Sequence, residues 1–214
     1  KNGSWWIITI RTRVVSGDIL AAYRAAGGPA GSWGWPTGDA TAATSNGRPG
    51  VWQWFQRTTA YAGRDLAAFA VGDSIKAAFA AAGGLSGPLG WPVGAETASS
   101  ASGGGASQAF QGGAIYRSAS GTHVVDGAIL TAYQAAGGPG GAWGWPAGAP
   151  TAITANGVTG RWQWFQNVTL YSTASTGTHA VGGATKALFA SLGGLSGVLG
   201  WPTGAPAVPT ANGG

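Results

Sequence analysis

Gly-Trp-Pro is written into this chain four times, at Gly34-Trp35-Pro36, Gly90-Trp91-Pro92, Gly144-Trp145-Pro146 and Gly200-Trp201-Pro202, each followed one residue later by another glycine. The tryptophans stand 56, 54 and 56 residues apart. A period of this length marks a tandem array whose units bury their apolar faces against their neighbours, so the repeat decides the architecture before any local reading. Upstream of each copy a Gly-Gly pair (27–28, 83–84, 137–138, 193–194) closes a run such as Gly-Ala-Ile-Leu-Thr-Ala-Tyr-Gln-Ala-Ala at 127–136, where Ile129, Ala132, Tyr133 and Ala136 fall at helical spacing. The glycine pair sits where a left-handed C-terminal cap is expected, so each unit carries one short helix. Two or three short strands precede it, clearest at 161–166, 169–171 and 178–181, between Ser, Thr, Asn and Gly.

A second period lies on the first. Trp33, Lys76, Tyr61 and Leu89 recur as Trp143, Lys186, Tyr171 and Leu199, and the run Trp-Gln-Trp-Phe-Gln at 52–56 recurs at 162–166, all displaced by 110. The chain is a tandem copy of a two-unit module. Across units, Gln53, Gln108 and Gln163 match, as do Phe55, Phe110 and Phe165, and both sets fall on one face of a period-two strand. That face is read as structural. The other face alternates: Trp52 and Trp54, then Ser107 and Ala109, then Trp162 and Trp164. It is the better place for binding.

The expected fold is α+β: four tandem units of about 55 residues (1–47, 48–103, 104–157, 158–214), each with short antiparallel strands and one helix. Residues 3–15 align without a gap on 113–125, and the tail 205–214 resembles the leader 149–157 that precedes a strand. Either the chain is trimmed from a longer array, or head and tail meet, with Asn212 near Lys1; the expected arrangement is the second, closed around a pseudo-fourfold axis like a propeller. A first residue of Lys and the lack of Met also suggest a processed chain or a fragment.

Glycine (41) and proline (11) are abundant, yet 44% of residues are hydrophobic and 11% aromatic, enough apolar surface to offset the entropy of ordering the chain. Only 8% are charged, against an average near 25%. The solvated face is thus made of Gly, Ser, Thr, Ala, Asn and Gln, which suits neutral, hydroxyl-rich partners. The net charge of +5 comes from scattered side chains, with no three basic residues in a row, so no nucleic-acid groove is expected. No stretch of about 18 apolar residues occurs, and the nearest candidate, 5–10, is too short to span a bilayer. Without cysteine there is no disulfide or thiolate site.

The series Gly-Pro-Leu-Gly-Trp-Pro-Val-Gly (87–94), preceded by a helix ending in Gly-Gly and followed by Phe-Gln-Gly-Gly-Ala-Ile-Tyr (110–116) and Gly-Thr-His-Val-Val (121–125), resembles the LGFP repeat family. The resemblance covers essentially the whole chain. It implies a secreted, actinobacterial cell-wall-associated module that binds arabinogalactan or a related wall glycan. It also implies an attached enzyme domain in the parent chain as a partner, and units about a pseudo-rotational axis. The chain departs from the family pattern in having Trp for Phe throughout, Trp33 and Trp143 for Leu, and few of the acidic residues that often follow the motif.

A glycan hydrolase needs two carboxylates flanking the scissile bond. Asp18, Asp39, Asp65, Asp73, Glu96 and Asp126 are the six available, and none repeats between units. His123 and His179 match each other but fall opposite Arg13, with no metal-ligand spacing around them. The sequence therefore points to a module with no catalytic residues, cofactor or metal, each histidine bonding a nearby carbonyl. The tryptophans of the Gly-Trp-Pro turns are expected to pack between units. The candidate glycan sites are Trp33, Trp52, Trp54 and Gln56, and their copies Trp143, Trp162, Trp164 and Gln166: indole faces stack on sugar rings while amides meet hydroxyls. Packing between repeats accounts for these clusters equally well, and an interaction module for another protein is the alternative function, with a wall hydrolase third.

Overall fold

The computed structural model describes residues 12–204, the Asp73 side chain excepted. Helix α1 (Gly17–Ala25) leads into a sheet of β1 (Thr41–Ser45), β2 (Arg48–Trp54), β3 (Thr58–Gly63) and β4 (Phe69–Gly72), followed by α2 (Asp73–Ala81). The second sheet comprises β5 (Thr97–Ser99), β6 (Gly105–Phe110), β7 (Gly113–Ser118) and β8 (Gly121–Asp126), followed by α3 (Gly127–Ala135). The third comprises β9 (Thr151–Ala155), β10 (Val158–Trp164), β11 (Val168–Thr173) and β12 (Gly177–Gly182), followed by α4 (Gly183–Ser191). Each sheet is an antiparallel meander in chain order. The α+β class and the single helix per unit agree with the sequence. The strand number is corrected from two or three to four, because the leader also pairs: Thr151–Ala155 joins β10 alone, as a mostly exposed edge without hydrophobic alternation. Among the described residues no closed propeller forms, and the expected meeting of head and tail lies outside them.

Helices and sheets alternate, and each joint between a helix and the sheet after it is one apolar cluster. Val71, Ile75, Phe79 and Leu89 meet Phe110 and Ile115; Ile129 and Tyr133 meet Phe165 and Leu170; Ile19, Tyr23 and Trp33 meet Phe55 and Ala60. The recurring glutamine staples each joint. The Nε2 of Gln53 donates to the carbonyls of Val14 (2.9 Å) and Gly38 (3.0 Å), that of Gln108 to Ala70 and Gly94, and that of Gln163 to Val124 and Gly148. A buried amide N–H needs such acceptors, so these bonds favour the register that presents them, while the three Oε1 atoms are buried without a hydrogen-bond partner.

The turn tryptophans fasten each unit to the sheet before it. Trp91 Nε1 donates to the Arg48 carbonyl (3.0 Å), Trp145 Nε1 to Ala101 (2.9 Å) and Trp201 Nε1 to Ala155 (3.2 Å). All three indoles are buried, as expected, whereas Trp35 is 61% exposed, a correction for that copy. The reason is positional: no sheet precedes Trp35 among the described residues.

The helices end as the glycine pairs foretell, but the first glycine of each pair carries the cap. Gly83 has φ +94°, and its amide bonds the Ala80 carbonyl. Three residues after each pair stands a further recurrent glycine (31, 87, 141, 197) with ordinary φ but no room. A Cβ on Gly87 would lie 1.9 Å from the Ala82 carbonyl oxygen, whereas one on Gly84 meets nothing within 4 Å. Gly87→Ala is therefore expected to cost about 3 kcal/mol or more through forced backbone movement. Gly84→Ala is expected to cost about 1–2 kcal/mol for its left-handed φ. Thermal melts of the two variants check the order.

Candidate functional site

Strand pairing sets out the exposed aromatic face. In the first sheet Trp52 stands opposite Tyr61 and Trp54 opposite Thr59; in the third, Trp162 opposite Tyr171 and Trp164 opposite Thr169. The paired indoles touch, with centroids 5.0 Å apart in both sheets, tilted by 57° and 49°. Trp54 and Trp164 lie over Gly38 and Gly148, where a Cβ would come within 3.3 Å of the ring, so the glycine after Gly-Trp-Pro makes room for the indole. Each tyrosine in turn meets a helix phenylalanine edge-on: Tyr61 with Phe79 at 5.6 Å, Tyr171 with Phe189 at 5.5 Å.

These rows form one wall of a cleft, and the following helix and turn form the other. In the first sheet Trp52, Trp54 and Tyr61 face Lys76, Phe79 and Leu85. In the third, Trp162, Trp164 and Tyr171 face Lys186, Phe189 and Leu195. Every one of these residues is displaced by 110 from its counterpart, and each cleft has a volume of about 310 Å³. Trp54 and Trp164 are each 50% exposed at the rim. Burial raises the Tyr61 and Tyr171 phenols above their ordinary pKa, partly opposed by the Thr59 and Thr169 hydroxyls, so both remain protonated at neutral pH. Indole faces, a phenol donor and a lysine ammonium thus line an apolar slot. The middle sheet carries Ser107 and Ala109 in place of the tryptophans, and α3 carries Leu130 in place of the lysine.

Four of the sequence candidates, Trp52, Trp54, Trp162 and Trp164, therefore line the two clefts. The others part from them. Trp33 lies in the buried joint, its ring 5.2 Å from Phe55, and Trp143 packs against the matching joint. Alternation along β2 sends Phe55 to the face opposite Trp52 and Trp54, and Trp33 goes with Phe55. The expected three-tryptophan clusters are thus corrected to pairs. Gln56 and Gln166 are drawn away too, because the chain leaves the strand at Phe55 and Phe165. The Oε1 of Gln56 accepts from the Trp35 amide (3.0 Å) and that of Gln166 from the Trp145 amide (2.9 Å), locking the Gly-Trp-Pro turn. The tyrosines and lysines were missed as site residues although their 110-residue recurrence was visible.

Little acid–base chemistry is gathered elsewhere. Asp39 pairs with Arg13 (2.5 Å), Glu96 with Arg117 (2.6 Å) and Asp126 with Arg161. His123 Nε2 lies 3.0 Å from the Ser120 carbonyl and His179 Nε2 2.6 Å from that of Thr176, each three residues back, as the sequence expects. Among the described residues no His, Asp or Glu cluster could hold a metal, and no helix is long and apolar enough to cross a membrane.

No curated protein matches the chain. The family model of the LGFP repeat matches residues 89–141 and 144–197, the stretches holding the second and third sheets. The matches span half of the chain, and the protein belongs to the LGFP repeat family, a family of cell-wall-associated repeat modules.

Proposed function

We propose that this protein is a non-catalytic binder of cell-wall polysaccharide, arabinogalactan-like in its neutral, hydroxyl-rich chemistry, and that it anchors a secreted protein or an attached enzyme domain to the envelope. The observation that carries this reading is the pair of matching clefts, Trp52–Trp54 and Trp162–Trp164, open at the surface while Trp33, Trp91, Trp143, Trp145 and Trp201 pack into joints. An indole covers the apolar face of a sugar ring, and Tyr61 or Tyr171 and Lys76 or Lys186 offer hydrogen bonds to ring hydroxyls. Exposed aromatic faces also suit a protein partner, and one titration separates the two. Soluble wall oligosaccharide should change the tryptophan fluorescence in a saturable manner, and Trp54→Ala combined with Trp164→Ala should abolish the change while leaving the melting curve near that of the parent. A flat titration, or one indifferent to both substitutions, would remove glycan binding at these clefts. The closed pseudo-fourfold ring belongs to the same proposal: cysteines replacing Asn2 and Asn212 should form an intramolecular disulfide, and their failure to cross-link counts against closure.

A further inference from the structure

The cleft lysines belong to a set of residues that changes together. The first sheet and α2 carry Trp52, Trp54, Thr59 and Lys76, and the third sheet and α4 repeat them as Trp162, Trp164, Thr169 and Lys186. The middle sheet and α3 carry Ser107, Ala109, Ala114 and Leu130 at the same places. The tyrosine does not change, since Tyr116 stands where Tyr61 and Tyr171 do. Leu130 packs against the cluster that holds Ile129, Tyr133 and Trp145. Packing at this helix position therefore asks only for an apolar stem. What the lysine adds is a charge, and among the three described sheets it accompanies the indole pair alone.

In the third-sheet cleft that charge has no counterpart. No Asp or Glu follows Asp126 in the sequence, and Asp126 is itself paired with Arg161. Among the described residues no carboxylate pairs with Lys186. The other side chains that line the cleft, including Trp162, Trp164, Thr169 and Ser196, are neutral, and burial keeps the Tyr171 phenol protonated. An anion arriving here breaks no internal ion pair, and the aromatic walls that exclude water from the slot strengthen its attraction to the ammonium.

We propose that the two clefts select a saccharide that carries an anionic substituent, a uronate carboxylate or a phosphate ester, with its ring against the indole pair and its charge on the Lys76 or Lys186 ammonium. This selection rests on the glycan-binding reading and adds one charged substituent to a ligand whose remaining surface is neutral and rich in hydroxyls. Stacking on indole accepts many sugar rings. Discrimination falls to the lysine, a compact point charge that gains more from a carboxylate or phosphate oxygen than from a hydroxyl.

The test titrates the 214-residue protein, followed by tryptophan fluorescence, with a galactose trisaccharide, with the same trisaccharide oxidised to a uronate at its terminal sugar, and with its terminal 6-phosphate ester. At low salt one or both charged probes should bind at least about tenfold more tightly than the neutral one, the scale of one charge-assisted contact. Added salt should narrow the gap, and the charged probe that gains more identifies the source of the anion. Lys76→Gln combined with Lys186→Gln should bring the affinities together, whereas Lys76→Arg combined with Lys186→Arg should keep them apart. Glutamine and arginine are helix formers comparable with lysine, so both double variants should melt like the parent. Should a melt change, the comparison of probes in the parent protein decides by itself. Equal affinities for neutral and charged probes overturn the proposal and leave the glycan reading in place. A preference for charge that survives loss of both lysines in a folded protein overturns it as well. A fluorescence signal indifferent to all of the probes removes the glycan reading and the charge selection together.

Discussion

Replacing Trp145 by alanine should unfold the protein at a far lower urea concentration, with a loss of about 3–5 kcal/mol from removing a fully buried large aromatic. The indole is 0% exposed, its Nε1 donates to the Ala101 carbonyl at 2.9 Å, and its ring fits against Gly105, where a Cβ would lie 2.8 Å from the indole. Alanine leaves a cavity between the second sheet and the turn that follows it, and deprives a carbonyl of its donor. Trp35→Ala is the internal control. The same motif residue there is 61% exposed and should shift stability by no more than about 0.5 kcal/mol. Equal losses in the two variants would mean that the joints do not fasten the array as described.

Changing both exposed clefts should cost far more binding to insoluble wall polysaccharide than changing one. Two weak sites on one polymer act through effective concentration, so losing either by Trp54→Ala or Trp164→Ala should reduce retention about 10²-fold, while affinity for a short oligosaccharide falls only by the statistical factor of losing one of two sites. Both indoles are half exposed, which keeps the cost to stability small. Co-sedimentation with insoluble polysaccharide, set against fluorescence titration with the oligosaccharide, separates avidity from affinity. Equal losses in the two assays would argue for two independent sites that never engage one chain together.

Much of this was legible in the residues. The glycine pairs announced the helix ends because only a residue free of Cβ strain adopts φ near +90° there, and the matching of Gln53, Gln108 and Gln163 announced a structural strand face, which the structure buries. The fourth strand of each sheet was not legible: Thr151–Ala155 is too short and too exposed to carry a period, and its pairing with β10 exists only once the hairpin at Asn156-Gly157 has turned.

For the candidate site, alternation along β2 and β10 determined which residues share the tryptophan face, and the 110-residue period determined that the site comes in two copies. Tertiary structure decided the rest. It sent Trp33 and Trp143 into the joints with Phe55 and Phe165, turned Gln56 and Gln166 onto the Gly-Trp-Pro amides, and brought Lys76 and Lys186 across from a helix to complete each cleft. The physical reason is the range of the signal. Side-chain direction within a strand follows from local backbone geometry, whereas the residue that faces it across a joint depends on how a sheet and the following helix pack, which no periodicity within either element encodes.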